Sequence, residues 1–286
     1  GVREIRGRVL GDESRYDATR YVAGWPGRYI TANEVGPLSA LSVNDGFDAW
    51  TPRAVPFADP AAGAAGVLTE LLRQRGVQVV GEAGSGTAPG GVTTIAFVDS
   101  PPVGDVVGEM LRQSDNGTAE LLTKELGVRV AGEGSTAAGV GVVSDTLASL
   151  AEPTAGVVVQ DGSGLDPDDR VTCRLLHDLV DDDDGGPIDR GLAVAGTTGT
   201  LTMRFVGTPM TGQLRAKTGT INGVASLSGV VTTQGGFELS FSSILNDIAR
   251  AADAGPLETA LGEALVRFPD LPSLEEIGPQ GYPGAA

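Results

Sequence analysis

The 286-residue chain carries 20 basic and 37 acidic side chains, a formal charge of −17, with 41% hydrophobic residues. That length suits one large domain or two ordinary ones, and the charge argues against sequence-independent binding to nucleic acid and against docking on an anionic membrane. No run of about 18 apolar residues marks a transmembrane helix, the opening Gly1-Val2-Arg3-Glu4 is no signal peptide, and a single cysteine (Cys173) and a single histidine (His177) exclude the usual zinc sites and leave histidine-based nucleophilic catalysis to His177 alone.

Residues 2–9 alternate and predict a strand entering a turn at Gly11-Asp12. Residues 16–60, rich in Pro, Gly, Trp and Tyr, read as turns and short strands. A helix is expected over about 61–75, where Ala64, Val67, Leu68, Leu71 and Leu72 form the apolar stripe and Gly76 supplies the stop. Strands are expected at 77–80 and 92–98. Beyond Pro101-Pro102, the spacing of Val103, Val106, Val107, Met110 and Leu111 predicts a helix ending near Gln113. A second helix resumes near Thr118, on Leu121, Leu122 and Leu126, and stops at Gly127. A short strand at 157–159 leads into Asp161-Gly162-Ser163-Gly164, and a helix at 171–180 runs into the acidic 181–184. Strands at 214–220, 224–232 and 237–245 follow, the last two joined by a hairpin at Gln234-Gly235-Gly236. A helix at 256–268 and an extended Pro/Gly-rich tail close the chain.

Two short motifs carry chemistry. Ser114-Asp115-Asn116 falls between two helices, and Lys217-Thr218-Gly219-Thr220 falls on a strand; Lys217 and Lys124 are the only lysines. They match the second and third motifs of serine acyl-transferases that work without histidine. In such chemistry Ser114 would pass a proton toward the leaving amine, Asn116 would bond the substrate's acyl backbone, and Lys217 would supply a fixed cation. Thr218 and Thr220 would hold a terminal carboxylate, with the Thr220 N–H as one oxyanion donor. Either triplet alone equally fits an ordinary helix cap and a surface lysine.

The wider series is more specific. Ser-Asp-Asn-Gly-Thr-Ala-Glu at 114–120, Asp-Gly-Ser-Gly-Leu at 161–165, Val-Ala-Gly-Thr-Thr-Gly-Thr-Leu at 194–201 and Arg-Ala-Lys-Thr-Gly-Thr at 215–220 occur in this order. The series resembles the class C low-molecular-mass penicillin-binding proteins, D-alanyl-D-alanine carboxypeptidases and endopeptidases of bacterial cell walls, over about residues 1–250. The resemblance implies an α/β (α+β) fold of the penicillin-binding transpeptidase and β-lactamase type, an antiparallel sheet flanked by helices with inserted accessory material. It implies that residues 1–100 are part of the accessory domain and 101–286 the C-terminal portion of the catalytic domain. It also implies hydrolysis of the D-Ala-D-Ala amide of peptidoglycan stem peptides through an acyl-enzyme, inhibition by β-lactams, no cofactor or metal, and an extracytoplasmic location. Gly219 and Asn222 would line the cleft beside Thr218 and Thr220. Asp12 would face it and bind a stem-peptide amine, unless it only forms its turn.

One feature departs from that family. Its nucleophile and base lie in Ser-x-x-Lys, yet Leu121 precedes Lys124 by three and Leu214 precedes Lys217 by three. The expectation is that this chain is the C-terminal piece of a longer protein, and that alone it cannot acylate. A homologue that lost its nucleophile and serves as a wall-binding scaffold is one alternative, a β-lactamase-like hydrolase another. The remaining candidates take plain roles: His177 on an exposed polar face, residues 181–184 a solvated helix exit, Cys173 a small core residue, and 161–164 a tight turn.

Overall fold

The computed structural model describes residues 1–150, 153–250 and 253–270. In chain order the elements are β1 (Glu4–Ile5), β2 (Leu10–Gly11), α1 (Gly27–Thr31), β3 (Phe47–Ala49), β4 (Val55–Pro56), α2 (Pro60–Gln74), β5 (Gln78–Val79), β6 (Gly84–Ser85), α3 (Val103–Gln113), α4 (Asn116–Leu126), α5 (Thr136–Ser149), α6 (Cys173–Asp181), α7 (Pro187–Gly191), β7 (Ala193–Val194), β8 (Leu214–Ile221), β9 (Val224–Thr232), β10 (Glu238–Leu245) and α8 (Ala254–Val266). Packing groups them into two units. One holds Gly1–Ser100 with Asp115–Val171; the other holds Pro101–Ser114 with the described residues from Thr172 onward. Residues 115–171 thus pack with 1–100, whereas the sequence suggested a single division after residue 100.

In the second unit the three long strands form where alternation is clearest. The sheet runs β10-β9-β8-β7, each neighbour antiparallel. Leu214 and Ala216 of β8 are fully buried beside Leu227, Val231 and Phe241, and Leu201, Phe205, Met210 and Val266 complete that core. Burying each large side chain there contributes about 1.5–3 kcal/mol. Helix α6 packs on β9 and β10, its start fixed by the Thr172 side chain, which accepts from the Leu175 N–H at 3.1 Å. Helix α3 meets α7 through glycine: a Cβ on Gly191 would lie 2.8 Å from the Gly108 Cα, so no side chain fits between them.

In the first unit short parallel pairs replace the expected strand over 2–9, β1 with β5 and β2 with β6. Helix α2 begins where Asp59 accepts from the Ala62 N–H at 2.9 Å, with Pro60 at its first position. Its buried face is Ala61, Ala64, Ala65 and Thr69, while Val67, Leu68 and Leu71 of the expected stripe are exposed. The reason is close approach: a Cβ on Gly11 of β2 would fall 2.1 Å from the Ala61 carbonyl oxygen, so only small side chains face the strand. Helix α4 likewise buries Glu120, Thr123 and Lys124 rather than its leucines, because polar partners await them. The Lys124 Nζ donates to Asp17 Oδ1 and to the Thr19 carbonyl, and Glu120 accepts from the Gly162 and Ser163 N–H groups.

Other expectations are corrected. Residues 92–98 form no strand; Ile95, Phe97 and Val98 are exposed, since alternation supplies no ladder partner by itself. Cys173 is exposed at the first turn of α6 instead of buried. Helices α1, α5 and α7 arise in segments rich in glycine or polar residues where periodicity is weak. The strand expected at 157–159 reduces to a bridge between Val158 and Arg170. The tail from residue 271 lies outside the described residues.

Candidate active site

The geometry of the second unit begins at the end of α3. Ser114 caps the helix in the left-handed region, φ 58° and ψ 48°, with its N–H bonded to the Met110 carbonyl. That conformation is unfavourable for a residue with a Cβ, and it ends the helix abruptly. There Ser114 Oγ accepts from the Lys217 Nζ at 2.7 Å, and the same ammonium donates to the Thr218 carbonyl. Burial brings the Lys217 pKa down to about 8. Among the described residues no carboxylate pairs with it, whereas Arg215, two residues earlier on β8, is matched by Asp189 at 2.8 Å and Glu238 at 3.3 Å. A buried ammonium without a counter-ion favours an anionic ligand.

Strand β8 presents the rest. β7 pairs with it only at Arg215 and Ala216, so among the described residues Lys217–Ile221 is laddered to β9 alone. On the other edge the Thr218 carbonyl is taken by the Lys217 ammonium, and among the described residues no strand pairs with Thr218–Thr220 there. Thr218 Oγ1 donates to Thr200 Oγ1 at 2.9 Å. Asn222 is exposed in the turn between β8 and β9.

Sequence reasoning assigned Thr200 no role. It sits in a one-turn helix, Gly199–Leu201, and Gly199 has φ +54°; a Cβ there would lie 2.1 Å from the Arg112 carbonyl oxygen. Only glycine lets this turn press on the last turn of α3. The available signal was Gly-Thr-Leu inside the 194–201 segment, to which no chemistry attached. His177, expected on an exposed polar face, has a part-exposed side chain with polar partners. Its Nδ1 lies 2.9 Å from Asp178 Oδ1 and its Nε2 2.9 Å from Ser240 Oγ, so the ring is fastened to β10. The acidic run is used as well, with Asp183 Oδ2 accepting the Ile188 N–H at 2.7 Å and the Asp189 N–H at 3.0 Å at the start of α7.

The first unit holds the remaining sequence candidates. Asp115 is the N-cap of α4, accepting from the Thr118 N–H at 3.1 Å. Asn116 Nδ2 donates to the Glu34 carbonyl at 2.8 Å. Asp12 accepts the Ser14 N–H at 2.9 Å within its own turn and the Ala88 N–H at 2.7 Å from a distant segment, so both carboxylate oxygens are engaged. Asp161 is a buried hub taking the Trp25 indole N–H at 2.7 Å and three backbone N–H groups, those of Ser163, Gly164 and Asp166.

Comparison with known proteins gives the family and the fold. A family model described as the D-Ala-D-Ala carboxypeptidase 3 (S13) family matches residues 49–264. The D-alanyl-D-alanine carboxypeptidase of Actinomadura sp. (strain R39) is 35% identical over 219 residues, covering 72% of this chain and 40% of the relative. Carboxypeptidase DacB of Mycolicibacterium smegmatis is 31% identical over 276 residues, covering 93% and 58%. The crystal structure of penicillin binding protein 4 (dacB) from Haemophilus influenzae superposes with a TM-score of 0.78 at 18% identity, covering 93% of this chain and 76% of that one. A second structure of that protein, complexed with a β-lactam, has a TM-score of 0.64 at 22% identity, covering 75% of this chain and 53% of that one. The fold is therefore the penicillin-binding one, an antiparallel sheet with flanking helices. The chain spans about half the length of the curated relatives it matches.

Proposed function

The chain belongs to the D-Ala-D-Ala carboxypeptidase 3 (S13) family, and from that membership we propose that it is the part of a serine carboxypeptidase that reads and protonates the substrate, with the nucleophile supplied by sequence this chain does not contain. The observation that carries the proposal is the Lys217–Ser114 hydrogen bond at the head of a strand edge laddered on one side. The substrate is the D-Ala-D-Ala end of a peptidoglycan stem peptide, and its location is extracytoplasmic. β-Lactams, seen with the Haemophilus relative, are the matching inhibitor class.

The chemistry follows from the groups present. A serine hydroxyl adds to the carbonyl of the scissile amide, and the developing oxyanion takes the Thr220 N–H. The proton of that hydroxyl goes to the base that accompanies the nucleophile. The amide C–N bond then breaks, and Ser114 gives its own hydroxyl proton to the departing D-Ala amine and takes up the one held by the base, leaving an ester on the nucleophile. Water completes the turnover by adding to that ester and restoring the hydroxyl. Lys217 holds the Ser114 oxygen in place and attracts the terminal carboxylate, which Thr218 and Thr220 grip beside Gly219. Asn116 is the residue assigned to the substrate's acyl backbone. A preorganised donor of the Thr220 kind is worth about 3–4 kcal/mol.

The chain has no Ser-x-x-Lys, since Leu121 and Leu214 precede its two lysines by three. That absence favours a second reading, a homologue that binds wall peptides without cleaving them. Mass spectrometry of the full-length protein after incubation with penicillin separates the two. A covalent gain of one drug mass on a Ser-x-x-Lys serine supports the enzyme, and an unmodified protein supports the binder.

A further inference from the structure

Thr218 does not stand alone on the edge of β8. Its hydroxyl is bonded to that of Thr200, and Thr200 is clamped on both sides. Before it, Gly199 presses on the Arg112 carbonyl in the last turn of α3; after it, Leu201 is fully buried in the core under the sheet. Two residues past Arg112 the same turn presents Ser114, which is bonded to Lys217, the neighbour of Thr218. The contacts close a ring within one unit: Ser114, Lys217, Thr218, Thr200, Gly199 and the end of α3.

We propose that Thr200 is a positioning residue for carboxylate recognition, forming with Thr218 a two-hydroxyl relay that reads the C-terminal carboxylate of the ligand. This rests on the carboxypeptidase reading and adds a residue to it. Without a ligand, the Thr218 hydroxyl donates to Thr200 Oγ1. When a carboxylate reaches the strand edge, both hydroxyls turn: the Thr218 O–H donates to the anion and the Thr200 O–H donates to the Thr218 oxygen. Each hydroxyl keeps a partner throughout, and the second bond polarises the first. The Gly199 clamp keeps Thr200 from following Thr218 out of line, so the relay is set before the ligand arrives. Thr200→Val keeps the outline of threonine and loses the hydroxyl donor.

The test compares the affinities of N-acetyl-D-alanyl-D-alanine and its C-terminal amide for the full-length protein by calorimetry. The preference for acid over amide is expected to fall about five- to tenfold in Thr200→Val and to stay within about twofold of wild type in Thr200→Ser. Being a ratio, this preference is insensitive to the fraction of protein that is folded. A wild-type preference in Thr200→Val overturns the proposal, as does a Thr200→Ser protein that loses as much as the valine variant. Penicillin acylation of the same preparations reports on the carboxypeptidase reading separately. A protein that is never acylated but shows the Thr200-dependent preference loses that reading and keeps the relay; an acylated protein with a Thr200-independent preference does the reverse.

Discussion

The Nζ of Lys217 donates to the Ser114 Oγ at 2.7 Å although 103 positions separate them in the chain. The bond joins the capping residue of one helix to the first strand of the C-terminal hairpins. Lys217→Ala removes the cation while leaving Leu214 and Ala216 in the core, so the sheet should keep its packing. The expected outcome is loss of penicillin labelling of the full-length protein by a factor on the order of 100 or more, with a thermal transition close to wild type. Labelling at the wild-type rate would remove Lys217 from the site.

The same lysine sets a pH dependence. Its pKa is about 8 in the folded chain, lowered by burial from 10.5. Its positive charge, and with it the preference for carboxylate over amide ligands, should therefore fade as pH rises through about 8. Stability runs the other way. Between about pH 10.5 and 8 the unfolded chain takes up the proton first, so stability is lost as pH falls through that window. Titrating ligand preference and thermal stability over the same range checks both signs; Lys217→Met should flatten both curves.

The parts of the fold that were legible are those where one physical signal dominates. Strands β8, β9 and β10 alternate over eight or nine residues against a buried face, and their bounds follow from the sequence to within a residue. Helix α3 reads equally well from its valines. The helices of the first unit were misread in their facing. The buried side of α2 is chosen by a backbone approach at Gly11, and that of α4 by hydrogen bonds to loops far away in sequence, neither of which periodicity records. In the site, Ser114 and Lys217 were found because their spacing forms known motifs. Thr200 and the His177–Ser240 contact were not, because each depends on a partner whose position only the fold supplies.

Glu120 gives a second pH-linked expectation. It is fully buried on α4, and Oε1 accepts the Gly162 and Ser163 N–H groups at 2.9 and 2.8 Å, while Oε2 has no partner among the described residues. Burial foremost, and the nearby Asp161, raise its pKa from 4.5 to about 7. The raised value means that the folded chain holds this proton where the unfolded chain has released it. Its stabilising contribution is present in full below about pH 4.5 and is lost as pH rises through about 7. Glu120→Gln keeps the Oε1 acceptor and cannot ionise. Relative to wild type it should gain stability on going from pH 5 to pH 8, measured as the difference between the two melting curves. A constant difference would show that Glu120 does not titrate in that range.

Lys124 and Asp17 test how charge is held inside the first unit. The Lys124 side chain is 1% exposed and that of Asp17 37% exposed, so the two ends of this ion pair are unequally solvated. Asp17 has other help, from the Thr19 N–H and hydroxyl, and water reaches it. Among the described residues Lys124 donates to Asp17 and to the Thr19 carbonyl, and its side chain is almost wholly out of solvent. Removing the anion therefore strands a buried ammonium, which costs about 3–5 kcal/mol, whereas removing the cation leaves a carboxylate that water can hydrate. Asp17→Ala should accordingly destabilise the protein more than Lys124→Met, by about 1–2 kcal/mol, in urea unfolding with unchanged slope. The reverse order would mean that the ammonium is solvated in a way its burial does not allow, and that the inward face of α4 is set by its leucines after all.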